Sequence, residues 1–180
     1  SAANTLALLV ALGNRGFYCG CLANDAFAEI FRQDFQQLCT NTNNITMKKH
    51  VYHGENTGRC MVLITPDSER TMLTALGVNI RFDIYDIDFS ALAQSRYLYI
   101  EGYMVAQDAA FAGVKKAIGF AKSQQIPVVL SFSDPSMVHF FSQRLAEFMA
   151  MQPDLLFCNA DEALAYTQTN IFDKALLQLT

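Results

Sequence analysis

Asp154-Leu155-Leu156-Phe157-Cys158-Asn159-Ala160-Asp161-Glu162-Ala163 changes character at its midpoint. Residues 155–158 form a short, continuously apolar run, which reads as a strand buried on both faces of a parallel sheet. The run stops at Asn159, Asp161 and Glu162, and residues 162–166 read as helix. Such a junction lies at the carboxyl edge of an open α/β sheet, where ligand crevices form. An amide and two carboxylates placed there can hold a metal-bound phosphate, directly or through water. The same residue types also cap helices, so the local sequence supports both readings.

Outward from this junction the second half of the chain alternates strand and helix. Residues 97–100 and 127–132 read as strands. Residues 108–123 read as a helix with Phe111, Val114, Ala117, Ile118 and Ala121 inward, and 135–150 as a helix with Pro135 in its first turn. A last helix is expected at about 172–179. This alternation predicts a doubly wound, mostly parallel sheet.

The first half departs from that rhythm. Residues 2–12 form an almost wholly apolar helix with Gly13 as its stop, and such a helix should be buried on several sides. Residues 16–22 read as a strand, and Asn24-Asp25 caps a helix over 26–39 whose Phe27, Ile30, Phe31, Phe35 and Leu38 share helical spacing. Residues 47–53, 59–65 and 70–76 read as three short strands with a turn at 66–69, a small accessory sheet or lid. The expected organisation is an α/β core from 1–45 and 77–180 and a β lid over 46–76. The apolar helix begins at the first residue with no strand before it, and the last helix runs off the end. Both features predict an internal fragment of a larger fold.

Composition narrows the function. A charge of −4 without a Lys/Arg run gives no footprint for nucleic acid. Residues 5–12, the longest helical apolar stretch, are too short to cross a bilayer, and no basic segment precedes them as in a signal peptide. A cytoplasmic location is expected. The five cysteines are irregularly spaced and complete no zinc site, so buried free thiols are expected. His50, His53 and His139 lack the spacing of a metal site or triad and read as structural or surface residues. Neither a Gly-Lys-Ser/Thr phosphate loop nor a Gly-x-Gly-x-x-Gly fingerprint is present, which counts against P-loop and dinucleotide-binding classes.

Four further clusters carry chemistry. Ser1 and Asn4 put a hydroxyl and an amide on one helical turn, groups suited to sugar hydroxyls, although a capped terminus looks the same. Gly58, after Thr57, allows close approach of a ligand to the backbone, or simply a hairpin turn. Glu101 ends a strand and can accept from a ligand hydroxyl, and Tyr103 beside it can stack on a base or sugar. Ser131-Phe132-Ser133-Asp134-Pro135 ends the next strand and opens a helix, where Asp134 serves as cap or ligand contact.

In order, Ser1-Ala-Ala-Asn4, Gly13-Asn14-Arg15, Asn24-Asp25-Ala26-Phe27, Thr57-Gly58, Glu69-Arg70-Thr71, Glu101-Gly102-Tyr103, the Ser133-Asp134-Pro135 turn and Asn159-Ala-Asp-Glu162-Ala163 resemble the PfkB, or ribokinase-like, family of carbohydrate and nucleoside kinases. The resemblance covers nearly the whole chain and is greatest to the adenosine-kinase-like branch. It implies a ribokinase-like α/β fold with a β lid over the acceptor, and ATP-dependent phosphorylation of a nucleoside or sugar hydroxymethyl group. It places Ser1, Asn4, Gly58 and Glu101 near the acceptor, Tyr103 beside a nucleobase, and Asn159 and Glu162 at Mg²⁺ and the ATP phosphates. The family's Gly-Ala-Gly-Asp motif, with its catalytic Asp and anion hole, is absent from the chain, as is the first strand with its sugar-binding Asp. No catalytic residue is therefore assigned, and the fragment is expected to be inactive. A homodimer through the lid is also allowed, and an exposed lid face carrying Met61, Leu63 and Met72 or Leu73 would favour it. The alternatives are a sugar kinase of the ribokinase or fructokinase kind and a non-catalytic nucleoside- or sugar-binding protein of this fold. A flavodoxin-like regulatory domain fits the alternation but not the inserted β segments.

Overall fold

The structure, a computed structural model, describes residues 2–38, 45–47 and 51–179. The chain divides into two compact units, Ala3–Phe82 and Asp83–Thr180, with Ser1–Ala2 grouped with the latter although the first helix lies almost wholly in the former.

The first unit opens with α1 (Ala2–Ala11). Gly13 adopts φ 83°, and the Gly13 N–H donates to the Val10 carbonyl at 2.9 Å while the Asn14 N–H donates to that of Leu9 at 3.2 Å. These two bonds close the helix end as its Gly predicts. The expected burial is not found. Val10 is buried, but Leu8, Leu9 and Leu12 are exposed. A run of Ala and Leu forms helix from its own propensity, whether or not its surface is covered.

The expected strand over 16–22 is two short ones, β1 (Gly16–Tyr18) and β2 (Leu22–Ala23). Between them the Tyr18 ring folds over Gly20, reaching 2.5 Å from where a Cβ would stand. That ring packs against Phe31 and Phe35 of α2 (Ala26–Leu38), at centroid distances of 5.6 and 5.5 Å. β3 (Ile45–Met47) runs parallel to β1, and β4 (Val51–Tyr52) parallel to β2. Neither β3 nor β4 pairs with the strands expected at 59–65 and 70–76. What remains of that sheet is an antiparallel hairpin, β5 (Arg59–Ile64) and β6 (Arg70–Ala75), exposed along both strands. Ser68 takes φ 68° in its turn, and the Thr65 N–H donates to the Glu69 carbonyl at 3.1 Å.

The second unit holds a three-stranded parallel sheet in the order β7 (Leu98–Glu101), β8 (Val128–Ser131), β9 (Leu155–Phe157). A short α3 (Phe89–Ala93) precedes it, capped by Asp88, which accepts from the Ala91 N–H at 2.9 Å. The crossover from β7 to β8 is α4 (Asp108–Ser123), as its apolar spacing predicts, with Val114, Ala117, Ile118 and Ala121 buried. The crossover to β9 is two helices, α5 (Pro135–Phe140) and α6 (Ser142–Ala150), rather than one. The break falls at Phe141 (φ −126°, ψ 29°), whose side chain packs on the core while Phe140 is exposed. α7 (Ala160–Thr167) and α8 (Phe172–Leu179) complete the unit. Its core gathers Ile100, Val128, Leu130, Phe132, Leu145 and Phe148.

Burial in this sheet corrects the reading of 155–158. Val128, Val129 and Leu130 of the central strand are buried, but Leu155 and Phe157 are 50% and 54% exposed. β9 pairs with β8 alone, and only its Leu156 side packs on the core. Within these 180 residues β9 is therefore an edge strand with its Leu155 and Phe157 side uncovered.

Among the described residues no helix is long and apolar enough to cross a membrane. The free thiols at Cys19, Cys21, Cys60 and Cys158 are less buried than expected, with Cys21 enclosed and Cys60 and Cys158 exposed. His53 and His139 are exposed, and His50 and Cys39 lie outside the described residues.

Candidate functional site

All three strands of the second unit end at one edge, and their last rungs align. Glu101 pairs with Ser131, and Ser131 with Phe157. The residues that follow turn into a 3-10 segment (Gly102–Ala106), α5 and α7. Parallel pairing thus brings Glu101, Tyr103, Asp134, Asn159 and Glu162 to the same carboxyl edge, where α/β sheets open to ligands.

The start of α7 is closed on itself. The Glu162 N–H donates to Asn159 Oδ1 at 2.8 Å, and the Asn159 N–H donates to Glu162 Oε2 at 3.1 Å. This is the reciprocal capping box. A third bond runs from Asn159 Nδ2 to Glu162 Oε1 at 3.1 Å. Glu162 is only 5% exposed. Burial pushes its carboxyl above the usual range; the Asn159 N–H opposes that shift, and the charges of Asp134 and Asp161 add to it. A cap needs one acceptor, whereas this helix start carries two carboxylates, Asp161 and Glu162, with the charge of Asp134 from the start of α5 acting on Glu162.

The neighbouring turn carries Asp134, which accepts from the Ser136 N–H at 2.7 Å and from the Ser136 hydroxyl. Ahead of it stands Ser133, at φ 74°. Gly102 is buried against this turn, and a Cβ on it would lie 2.4 Å from the Phe132 carbonyl oxygen. Tyr103 is 39% exposed, and its hydroxyl donates to the Ser133 carbonyl at 3.3 Å. Its ring therefore stays at the surface with its polar end fixed.

The oxygen-only set of Asn159, Glu162 and Asp134 matches a hard divalent cation. Among the described residues no group of three or more His, Cys, Asp or Glu could hold an ion directly. Glu162 is buried and the charges of Asp134 and Asp161 act on it, so a cation would be better accommodated there than further negative charge. The residues fit a cation held through water rather than in a protein cage.

The other candidates belong to the first unit. Asn4 is exposed on α1, and Ser1 lies outside the described residues. Gly58 is pressed against backbone: a Cβ there would meet the Leu76 carbonyl oxygen at 2.7 Å and the Asn79 amide at 2.3 Å. Beside it Gly77, at φ 53°, approaches Asn56 equally closely, and the Val78 N–H donates to the Asn56 carbonyl at 2.9 Å. The chain itself makes the close approach that Gly58 permits.

A linkage here went unread in the sequence. The Asp25 carboxylate caps α2 through the Ala28 N–H at 2.9 Å, and also accepts from the Thr57 N–H and the Thr57 hydroxyl, each at 2.7 Å. The buried Thr57 Oγ1 in turn accepts from the Ala23 N–H at 3.0 Å. The Thr57 bonds, with those of Ala28 and the Arg59 charge, hold the Asp25 carboxyl below its usual range against a small burial effect. Spacing signalled the cap; no local pattern announces a partner 32 residues away.

The pfkB family carbohydrate kinase description matches residues 1–178. An adenosine kinase of Saccharomyces cerevisiae is 29% identical over 147 residues, covering 78% of this chain and 42% of that protein. Among solved structures, the adenosine kinase from Sinorhizobium meliloti superposes with a TM-score of 0.92 at 32% identity, over 99% of this chain and 54% of that one. A probable sugar kinase protein from Rhizobium etli CFN 42 gives 0.91 at 26% identity, over 99% and 53%. The chain spans about half the length of these relatives, and its fold is the ribokinase-like α/β fold expected from its sequence, in part.

Proposed function

The chain belongs to the pfkB family of carbohydrate kinases, and on that premise we propose that the protein it represents transfers the γ-phosphoryl group of ATP to the hydroxymethyl group of a nucleoside, adenosine-like, or of a sugar. The observation that carries this reading is the Asn159–Glu162 cap, its Glu162 carboxylate buried within reach of the Asp134 charge at the carboxyl edge of a parallel sheet. The acceptor oxygen bonds to phosphorus as the bond to ADP breaks, and the hydroxyl proton passes to a base. Catalysis of this kind rests on positioning and charge stabilisation.

In this reading Asn159 and Glu162 orient water molecules around the phosphates, with Mg²⁺ supplying charge neutralisation when bound. Glu101, at the end of β7, accepts from acceptor hydroxyls, and the exposed ring of Tyr103 lies against a nucleobase. Ser1, Asn4 and Gly58 contribute from the substrate side of the fold, and the β5–β6 hairpin acts as the lid within 46–76. The Gly-Ala-Gly-Asp base is not in the 180 residues, so the chain alone is predicted to give no turnover. The exposed hairpin face carrying Met61, Leu63 and Leu73 supports a homodimer through the lid, which light scattering tests. The protein works in the cytoplasm, where ATP is available.

The near-equal likeness to an adenosine kinase and to a probable sugar kinase keeps the sugar as the second reading. An ADP-release assay with adenosine, ribose and fructose tests the class. Phosphorylation of none of them supports instead a nucleoside- or sugar-binding protein without chemistry. Tyr103→Ala then tests the acceptor: adenosine binding should weaken about tenfold and ribose much less, if roughly 1.4 kcal/mol of stacking is lost. Equal losses for the two in calorimetric titration would remove the nucleobase role.

A further inference from the structure

Ser133 is an L-residue in the left-handed backbone region, at φ 74°, a conformation that glycine and asparagine adopt more readily. Such strain persists where the surroundings over-determine it, and here they do. The Ser133 hydroxyl accepts from the Gly102 N–H at 2.8 Å and donates to the Ser131 carbonyl at 3.4 Å. The Ser133 N–H donates to Ser131 Oγ at 3.2 Å, and its carbonyl accepts from the Tyr103 hydroxyl at 3.3 Å.

The placement matters more than the number of bonds. The last rung between β7 and β8 joins Glu101 and Ser131. Gly102 is the first residue beyond it, and the Ser133 hydroxyl meets its N–H where the ladder ends. One side chain thus continues the sheet by a rung and ties the Glu101–Tyr103 turn to the Ser131–Asp134 turn. The absence of a Cβ at Gly102 lets the two backbones close to that distance.

We propose that Ser133 is a positioning residue for the acceptor, acting through Glu101 and Tyr103; this rests on the kinase reading above. Without its hydroxyl the turn after β7 loses its tie to β8, and the carboxylate and ring that meet the acceptor lose their fixed spacing. On the ATP side Asn159 and Glu162 keep their own closed hydrogen bonds on α7, and Asp134 keeps its bonds to Ser136, none of which uses the Ser133 hydroxyl.

The test is steady-state kinetics of the full-length protein with the acceptor it phosphorylates best. Ser133→Gly permits the left-handed backbone and removes the hydroxymethyl side chain. It should raise the acceptor KM about tenfold, the size of one hydrogen bond, with kcat and the KM for ATP within about twofold. Ser133→Ala removes the hydroxyl but keeps the strain, so it should match that KM rise and lower the unfolding midpoint as well. A Gly variant with a wild-type acceptor KM overturns the inference. So does a variant in which both KM values rise together with a lower midpoint, since that marks a purely structural role. A wild-type protein that phosphorylates no nucleoside or sugar defeats the kinase reading itself, and this inference with it.

Discussion

Asp25 caps α2 and Glu162 closes the capping box of α7, and the two carboxyls are shifted in opposite directions. At α2, Asp25 is held below its usual range by the Thr57 hydroxyl and backbone N–H bonds. At α7, Glu162 is pushed above its usual range by burial, with Asp134 and Asp161 adding to the shift. Asp25 has found all the donors it needs within the protein, and the result is a clasp between α2 and the base of β5. Glu162 has its cap bonds but lies among like charges, which is poor design for a helix start alone. A folded chain that leaves such charge uncompensated has left room for a cation or for donors on a ligand. On the proposed reading the first carboxylate serves the fold and the second serves a site.

The largest expected effect follows from that contrast. In the full-length protein Glu162→Ala should lower kcat and raise the Mg²⁺ requirement by about 10- to 100-fold, the range seen when an outer-sphere group of a metal site is lost. Acceptor affinity should stay close to wild type. Thr57→Val should leave the Mg²⁺ requirement unmoved, and steady-state rates against Mg²⁺ concentration compare the two variants directly. A Glu162→Ala protein with wild-type Mg²⁺ dependence would reduce both helix starts to plain caps.

Next in size is stability. Thr57→Val keeps the shape but strips the hydroxyl that Asp25 accepts from and to which the Ala23 N–H donates. Leaving those groups without a partner in a buried position should cost about 1–3 kcal/mol in denaturant unfolding. A loss near zero would mean that water replaces the hydroxyl and that the clasp adds nothing.

The difference between the two helix starts was only partly legible in the sequence. Residues 108–123 and 172–179 were readable because helical spacing is local and unbroken there. The Asn159/Glu162 pair was visible as a cap or a phosphate site; the cap is seen in the structure, and the burial of Glu162, which depends on how α5 meets α7, was not legible. Ser133 gave no sign of its left-handed backbone, because Ser carries none of the signal that Gly or Asn would. The Phe141 break was silent for the same reason, since neither Gly nor Pro marks it. Leu155 and Phe157 marked the strand correctly, and their exposure is that of an edge strand within these 180 residues, which span about half the length of the relatives.

A smaller effect should appear in the pH dependence of unfolding, with opposite signs at the two sites. Asp25, lowered from 3.8, leaves the folded state with fewer bound protons; its contribution is present above that value and lost as pH falls through the folded pKa. Glu162, raised from 4.5, leaves the folded state with more; its contribution is full below that value and declines as pH rises through the folded pKa. Asp25→Asn should therefore flatten the acid limb, and Glu162→Gln the decline on the neutral side. Matching slopes in the two variants would erase the contrast.

Glu162→Gln in the full-length protein, followed by Mg²⁺-dependent rate and unfolding midpoint together, tests the division of labour most directly. Glutamine can still cap the helix but carries no charge. The expected result is an unfolding midpoint at pH 7 no lower than wild type, together with a Mg²⁺ requirement raised about tenfold or more. A lowered midpoint with unchanged Mg²⁺ dependence would contradict it, and would make Glu162 a carboxylate that serves the fold as Asp25 does.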